Sequence, residues 1–339
     1  MTSRERVRRC LEFDHPDRVP RDLWTLPVVR LTSGDEAVSA FERRWPIDFA
    51  RPPVVNEKLA ALCRGDPYAV GQYRDEWGCV FDNAHAGIIG QVKQPLLDDW
   101  ARLGDLRPPV EALEIDAEAV NRFCASSDRF VMAACCPRPF ERAQFLRGTP
   151  RLLMDLVRRP PELLELLRIV HDLYCRELEA WVRTDVDGVM FMDDWGTQEA
   201  MLISPWQWRA LFKPLYTDYV RIAHDAGKKV FMHSDGHIFD IYEDLIEVGV
   251  DAINSQLFCM DIEAIGRRCA GRITFWGEID RQQVLTADTP EAARAAVRRV
   301  VRNLYRPAGG VIAQFELGAG ARLENAEAVF ETWQQLTAG

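Results

Sequence analysis

Val189-Met-Phe-Met-Asp-Asp194, Lys229-Val-Phe-Met-His-Ser-Asp235, Ala252-Ile-Asn-Ser-Gln256 and Ile273-Thr-Phe-Trp-Gly-Glu278 share one plan. Each is a short apolar run that closes on polar or ionisable groups. Strands buried on both faces read as continuous apolar runs, as in parallel sheets covered by helices. Four more runs fit the pattern: Val19–Trp24, Ile47–Pro52, Phe130–Cys136 and Val311–Glu316. Helical stretches separate most of them. Pro161–Val182 is long and amphipathic. Ser204-Pro205 supplies an N-cap and an N1 proline for a helix expected to run to Ala226, where Gly227 ends it. Phe239–Glu247, Asp261–Cys269, Thr289–Leu304 and Asn325–Leu336 complete the series.

Eight strands alternating with helices predict an α/β chain folded as a single (β/α)8 TIM barrel over residues 1–339. An open doubly wound sheet is the competing architecture. The stretch from Glu57 to Pro109 breaks the alternation. Within it, Tyr73–Phe81 and Ile88–Val92 read as a β-hairpin inserted after the second strand, with Gly87 and Gly90 as turn residues.

The chain has 339 residues and a net charge of −10. That balance argues against sequence-independent nucleic-acid binding, which needs clustered cations. No apolar run is long enough to span a bilayer, and no apolar segment follows the charged N-terminus, so a cytoplasmic protein is expected. The nine cysteines include no Cys-x-x-Cys pair, which removes zinc-ribbon and thioredoxin-type motifs.

In a barrel the strand C-termini converge on one mouth, where sites form. His233 and Asp235 are two apart, so on extended backbone they point to one side and suit either a metal or an acid–base pair. Asp235-Gly236 also fits a plain turn. Glu278, set in Phe-Trp-Gly-Glu-Ile, is costly to bury unless paired or ligating. Asp193 and Asp194 alternate in direction, so one faces the barrel and one the shell. The expected catalytic set is Asp193 or Asp194 with His233 and Glu278. Arg138, Asn254, Gln256 and Gln314 are candidates to hold substrate, Arg138 through an anionic group. A metal would draw on His233, Asp235, Glu278 and Glu316. Arg142 fits a surface ion pair equally well, the Cys135-Cys136 pair fits core packing better than nucleophilic attack, and Cys259 and His224 are weaker candidates.

Asp187-Gly-Val-Met-Phe-Met-Asp-Asp-Trp-Gly, Ser204-Pro-x-x-Trp, Lys213-Pro-Leu-Tyr and His233-Ser-Asp-Gly resemble the uroporphyrinogen-decarboxylase superfamily, as do the opening Arg4–Pro20 and the closing Leu323–Phe330. The resemblance implies a barrel, commonly a homodimer. One branch decarboxylates porphyrinogens without a cofactor, using a paired-arginine loop after the first strand. Here that loop reads Trp24-Thr-Leu-Pro-Val-Val-Arg30, with no such pair. The other branch is similar to corrinoid-dependent methyltransferases, which move a methyl group between a corrinoid protein and a small acceptor, in some members with zinc held by His-x-Cys and a later Cys. This chain has His233-x-Asp235 and Phe315-Glu316 instead. The expectation is therefore a methyltransferase-like enzyme with a corrinoid-protein partner, in which either zinc is held by a harder ligand set or the metal is lost and the carboxylates hold the methyl donor or acceptor directly. The alternatives are decarboxylation of a polycarboxylate, or a catalytically degenerate subunit that only docks the corrinoid protein.

Overall fold

The structure is a computed structural model and describes residues 1–53 and 55–337. Among the described residues twelve strands occur, in the order β1 (Trp24–Thr25), β2 (Phe49–Ala50), β3 (Gly71–Arg74), β4 (Val80–Asn83), β5 (Gln91–Val92), β6 (Phe130–Val131), β7 (Gly188–Met192), β8 (Lys229–Ser234), β9 (Ala252–Ser255), β10 (Thr274–Trp276), β11 (Val311–Ile312) and β12 (Glu316–Leu317). The chain is α/β with parallel sheets. β7 to β11 pair in chain order, β12 pairs with β1, and β2 pairs with β6, all in parallel.

Single contacts continue these ladders. Met132 bridges to Gly188 and Arg21 to Ala313. The Asp48 amide donates to the Arg21 carbonyl at 2.8 Å. Every expected strand position carries a strand or bridge, though several are shorter than the apolar runs. β10 stops at Trp276 because Gly277 turns the chain at φ +72°, with Gln314 so near that a Cβ would lie 2.1 Å from its Oε1. Such a conformation and approach admit glycine alone.

The core divides in two. Val7, Cys10, Phe49, Phe130, Met190, Phe231 and Trp276 belong to one buried cluster. The larger cluster joins the opposite strand faces to the helices, and includes Val189, Phe191, Val230 and Met232. Side chains alternate across a strand, so Met190 and Phe231 face the small cluster while their neighbours face the helices. Helix Ser3–Leu11 packs on the small cluster, and the Cys10 thiol donates to the Val311 carbonyl at 3.1 Å.

Helix Pro161–Trp181 buries Leu163, Leu166, Leu167, Val170, Tyr174 and Leu178 at helical spacing. The helix expected from Pro205 to Ala226 is two helices, Pro205–Leu211 and Lys213–Asp225. Pro214 explains the break: it lacks an N–H and disfavours the helical conformation just before it. Ser204 and Gln207 form a reciprocal cap at the first start. Between β2 and β6, β3, β4 and β5 form a three-stranded antiparallel meander rather than a two-stranded hairpin. Its first turn carries Gly78, while Gly90 lies against the Asp82 carbonyl, where a Cβ would approach to 1.9 Å. Among the described residues no helix is long and apolar enough to cross a membrane.

Candidate functional site

His233 is the penultimate residue of β8 and shares the parity of Phe231, so its ring points to the side of the small core cluster. It is 4% exposed. The Trp24 ring lies beside it, centroids 5.2 Å apart. Asn254 of β9 fixes its tautomer. The Asn254 amide nitrogen donates to the Trp276 carbonyl and, at 2.7 Å, to Gln314 Oε1. Asn254 Oδ1 is therefore the acceptor, and His233 Nδ1, 2.6 Å away, carries the proton. Nε2 is left with its lone pair toward Asp194 and Asp235.

Two carboxylates meet that nitrogen. Asp194 Oδ1 and Asp235 Oδ1 each lie 3.6 Å from His233 Nε2. One ligand atom from each of the three residues falls within 4.8 Å of the others. Asp194 Oδ1 also accepts the Asp235 amide at 2.9 Å, which ties the two strand ends together. Asp235 Oδ1 is buried without a hydrogen-bond partner.

Strand parity separates the two adjacent aspartates. Asp194 follows Met190 and Met192 to the inner side. Asp193 follows Val189 and Phe191 toward the helices and is fully buried. There its carboxylate accepts the Phe140 amide at 3.1 Å, the Glu141 amide at 2.7 Å and the Tyr216 hydroxyl at 2.6 Å. It anchors the first turn of helix Pro139–Arg147. Burial, then the nearby Glu141 carboxylate, push its carboxyl well above the usual range, and the three donors oppose the shift.

Glu278 and Glu316 reach the same region but meet a cation that the sequence reading missed. Arg281 pairs with Asp235 Oδ2, lies 3.4 Å from both Glu278 oxygens, and is 3.5 Å from Glu316 Oε1. Burial raises the Glu278 carboxyl well above its usual range; Asp235 and Glu316 add to the shift and Arg281 counters it. Burial also raises Glu316, against the pull of Arg281. Of the expected metal set, His233 and Asp235 stand together, whereas Glu278 and Glu316 surround the guanidinium and Asp194 supplies the third nearby oxygen.

Glu141 is a second residue the sequence reading missed. Burial first, then the Asp194 charge, push its carboxyl up to about 7, while Arg138 and His233 pull it down. Its Oε2 is buried without a hydrogen bond, 3.9 Å from Arg138. Asn254 and Gln314 are buried behind His233 and hold its ring. Gln256 accepts the Gly236 amide at 3.2 Å and the Gln198 side chain at 2.9 Å. Arg142 is a buried ion-pair residue, joined to Asp75 and, at 2.9 Å, to Glu76. Cys135 and Cys136 are held as thiols by burial.

Residues 76–336 match the uroporphyrinogen decarboxylase (URO-D) family. The chain belongs to that family. Among solved structures, a methyltransferase from Methanosarcina mazei is similar in fold to this URO-D family chain: 14% sequence identity, 99% of both chains covered, TM-score 0.67. No curated protein matches the sequence. His233-Ser-Asp-Gly, within the matched residues, supplies the imidazole and one carboxylate of the cluster.

Proposed function

We propose that this chain is a URO-D family (β/α)8 barrel acting as a methyltransferase, moving a methyl group between a corrinoid protein and a small acceptor. The closed barrel is supported by the parallel contacts that run from β2 through β6 to β12 and β1, and back to β2 through Asp48 and Arg21. The meander is then an insertion after the second barrel strand. The observation that carries the chemistry is the grouping of Asp194, His233 and Asp235 around one point.

That donor set fits a divalent cation, zinc first. One imidazole nitrogen and carboxylate oxygens are accepted zinc ligands, and three protein ligands leave a position for substrate. The orphaned Asp235 Oδ1 and the lone pair of His233 Nε2 both lack the partner such a cation would provide. When bound, the metal lowers the pKa of an acceptor thiol or hydroxyl, producing a nucleophile at neutral pH. Asn254 keeps the imidazole in the ligating tautomer and orientation. Asp194, with a side chain 41% exposed, sits where an incoming acceptor meets the cluster. Glu141 stands beside it to take up the acceptor proton. Arg281 holds Asp235 by its other oxygen and neutralises Glu278 and Glu316. Gln256 and Arg138 line the approach and orient the acceptor.

Decarboxylation of a polycarboxylate fits less well. The site is lined by the carboxyl groups of Glu141, Asp194, Asp235, Glu278 and Glu316, Arg281 is already taken by three of them, and Arg30 is engaged by Glu42 at 2.7 and 2.8 Å. The reading includes a homodimer in the cytoplasm. Elemental analysis of the purified protein, followed by methylcobalamin demethylation with thiol and hydroxyl acceptors, tests it. Stoichiometric metal with methyl transfer supports the proposal. Porphyrinogen turnover without a corrinoid, or corrinoid-protein binding without transfer, refutes it.

A further inference from the structure

A chamber lies between the strand end after β6 and the meander, with a volume of about 290 Å³. Helices Pro139–Arg147 and Pro161–Trp181 form its other walls. Its volume is near the lower end for ligand sites, so it suits a small molecule. Tyr73, Trp77 and Tyr174 give it aromatic walls.

Its two arginines differ. Arg142 already has Asp75 and Glu76. Among the described residues, Arg138 has no carboxylate oxygen nearer than the 3.9 Å of Glu141. Its other neighbours include the Cys136 thiol, which burial keeps protonated, and Tyr174. A guanidinium fork in such surroundings is a receptor for a carboxylate. Glu177 lines the same chamber and, among the described residues, has no hydrogen-bond partner, so it is free to bond a hydroxyl.

We infer that this chamber binds a small aromatic carboxylate bearing a ring hydroxyl, with the carboxylate on Arg138, the hydroxyl on Glu177 and the ring among Tyr73, Trp77 and Tyr174. Arg138 also neighbours Glu141, whose Oε2 lies 3.9 Å away. The binding does not rest on the methyl-transfer reading.

Calorimetric titration of the full chain with 4-hydroxybenzoate, 4-hydroxybenzamide and cyclohexanecarboxylate tests the inference. The hydroxybenzoate should bind at least tenfold more tightly than either analogue. Arg138→Gln should cost at least tenfold in hydroxybenzoate affinity and abolish its advantage over the amide. Ala134→Trp, which fills the chamber from its wall, should block binding, and a melting curve close to that of the parent chain establishes that each variant folds. Equal binding of acid and amide, undiminished binding in folded Arg138→Gln, or no binding at millimolar concentration overturns the inference. Protein stripped of metal with a chelator should bind hydroxybenzoate as tightly as zinc-loaded protein. Failure of the metal reading and failure of the chamber are thereby read separately.

Discussion

Asp235 Oδ1 stands 3.6 Å from His233 Nε2, buried and without a hydrogen bond. That separation is too long for a hydrogen bond and leaves both atoms wanting a partner. A buried acceptor left unsatisfied costs about 1–3 kcal/mol. A bound cation would satisfy both atoms at once. His233→Ala and Asp194→Asn should therefore each weaken zinc binding at least ~100-fold, about 2.7 kcal/mol. Competition with a chromophoric chelator measures this, and unaltered metal affinity in both variants would remove the ligand assignment.

Asn254 acts behind the metal rather than on it. Its Oδ1 holds His233 Nδ1 at 2.6 Å while its amide nitrogen is engaged elsewhere. Loss of such a support commonly costs about 10–100-fold in metal affinity. Asn254→Ala should fall in that range with Asp194 and Asp235 intact. A change under about twofold would mean that packing against Trp24 alone orients the ring.

Asp193 and Asp194 should separate cleanly. Asp193→Asn sets a new N–H donor against one of the three donors that its carboxylate now accepts. It should cost about 1–3 kcal/mol in denaturant-measured stability and leave metal content unchanged. Asp194→Asn should do the reverse. A stability loss confined to Asp194→Asn would contradict this division.

Much of this arrangement is legible in the chain. The parallel strands stand out because burial on both faces makes them apolar throughout, and their polar endings mark the mouth. The same two-sided burial hides which of Asp193 and Asp194 faces inward: Val189, Met190 and Phe191 are all apolar, so the pattern does not tell core from shell. Glu278 and Glu316 end apolar runs and are visible as candidates, but their partner Arg281 lies in a loop, and loop geometry decides which carboxylates a guanidinium reaches. Glu141 is a helix residue whose position near the mouth depends on Asp193 anchoring that helix start from another strand. Pro214 was a readable breaker, outweighed by the continuous amphipathic pattern on either side of it.

Arg281 compensates three acidic side chains, and Glu278 among them is only 2% exposed. Removing one partner from a buried charge cluster typically costs about 3–5 kcal/mol, because the remaining charges lose their compensation. Arg281→Met should destabilise the chain by about that much at neutral pH in the absence of metal. Added zinc should restore part of the loss through Asp235. Unchanged unfolding midpoints would show that the three carboxylates are already neutral without the guanidinium.

Glu177 gives a pH signature independent of the His233 cluster. Burial, then repulsion from Glu76, push its carboxyl up to about 7, against the pull of Arg142; Cys135 and Tyr174 are its other titratable neighbours. The native state therefore holds this proton more tightly than the unfolded chain, where a glutamate titrates near about 4.3. The stabilisation from the bound proton is complete below the unfolded value and is lost as pH rises through the folded value. Glu177→Gln removes that loss, so the variant should gain on the parent chain between about pH 4 and 7, by roughly 1–3 kcal/mol, with no further gain above it. Urea unfolding of both proteins across pH 4–9 measures the difference. A gap that stayed constant with pH would show that the Glu177 carboxyl titrates alike in the folded and unfolded chain.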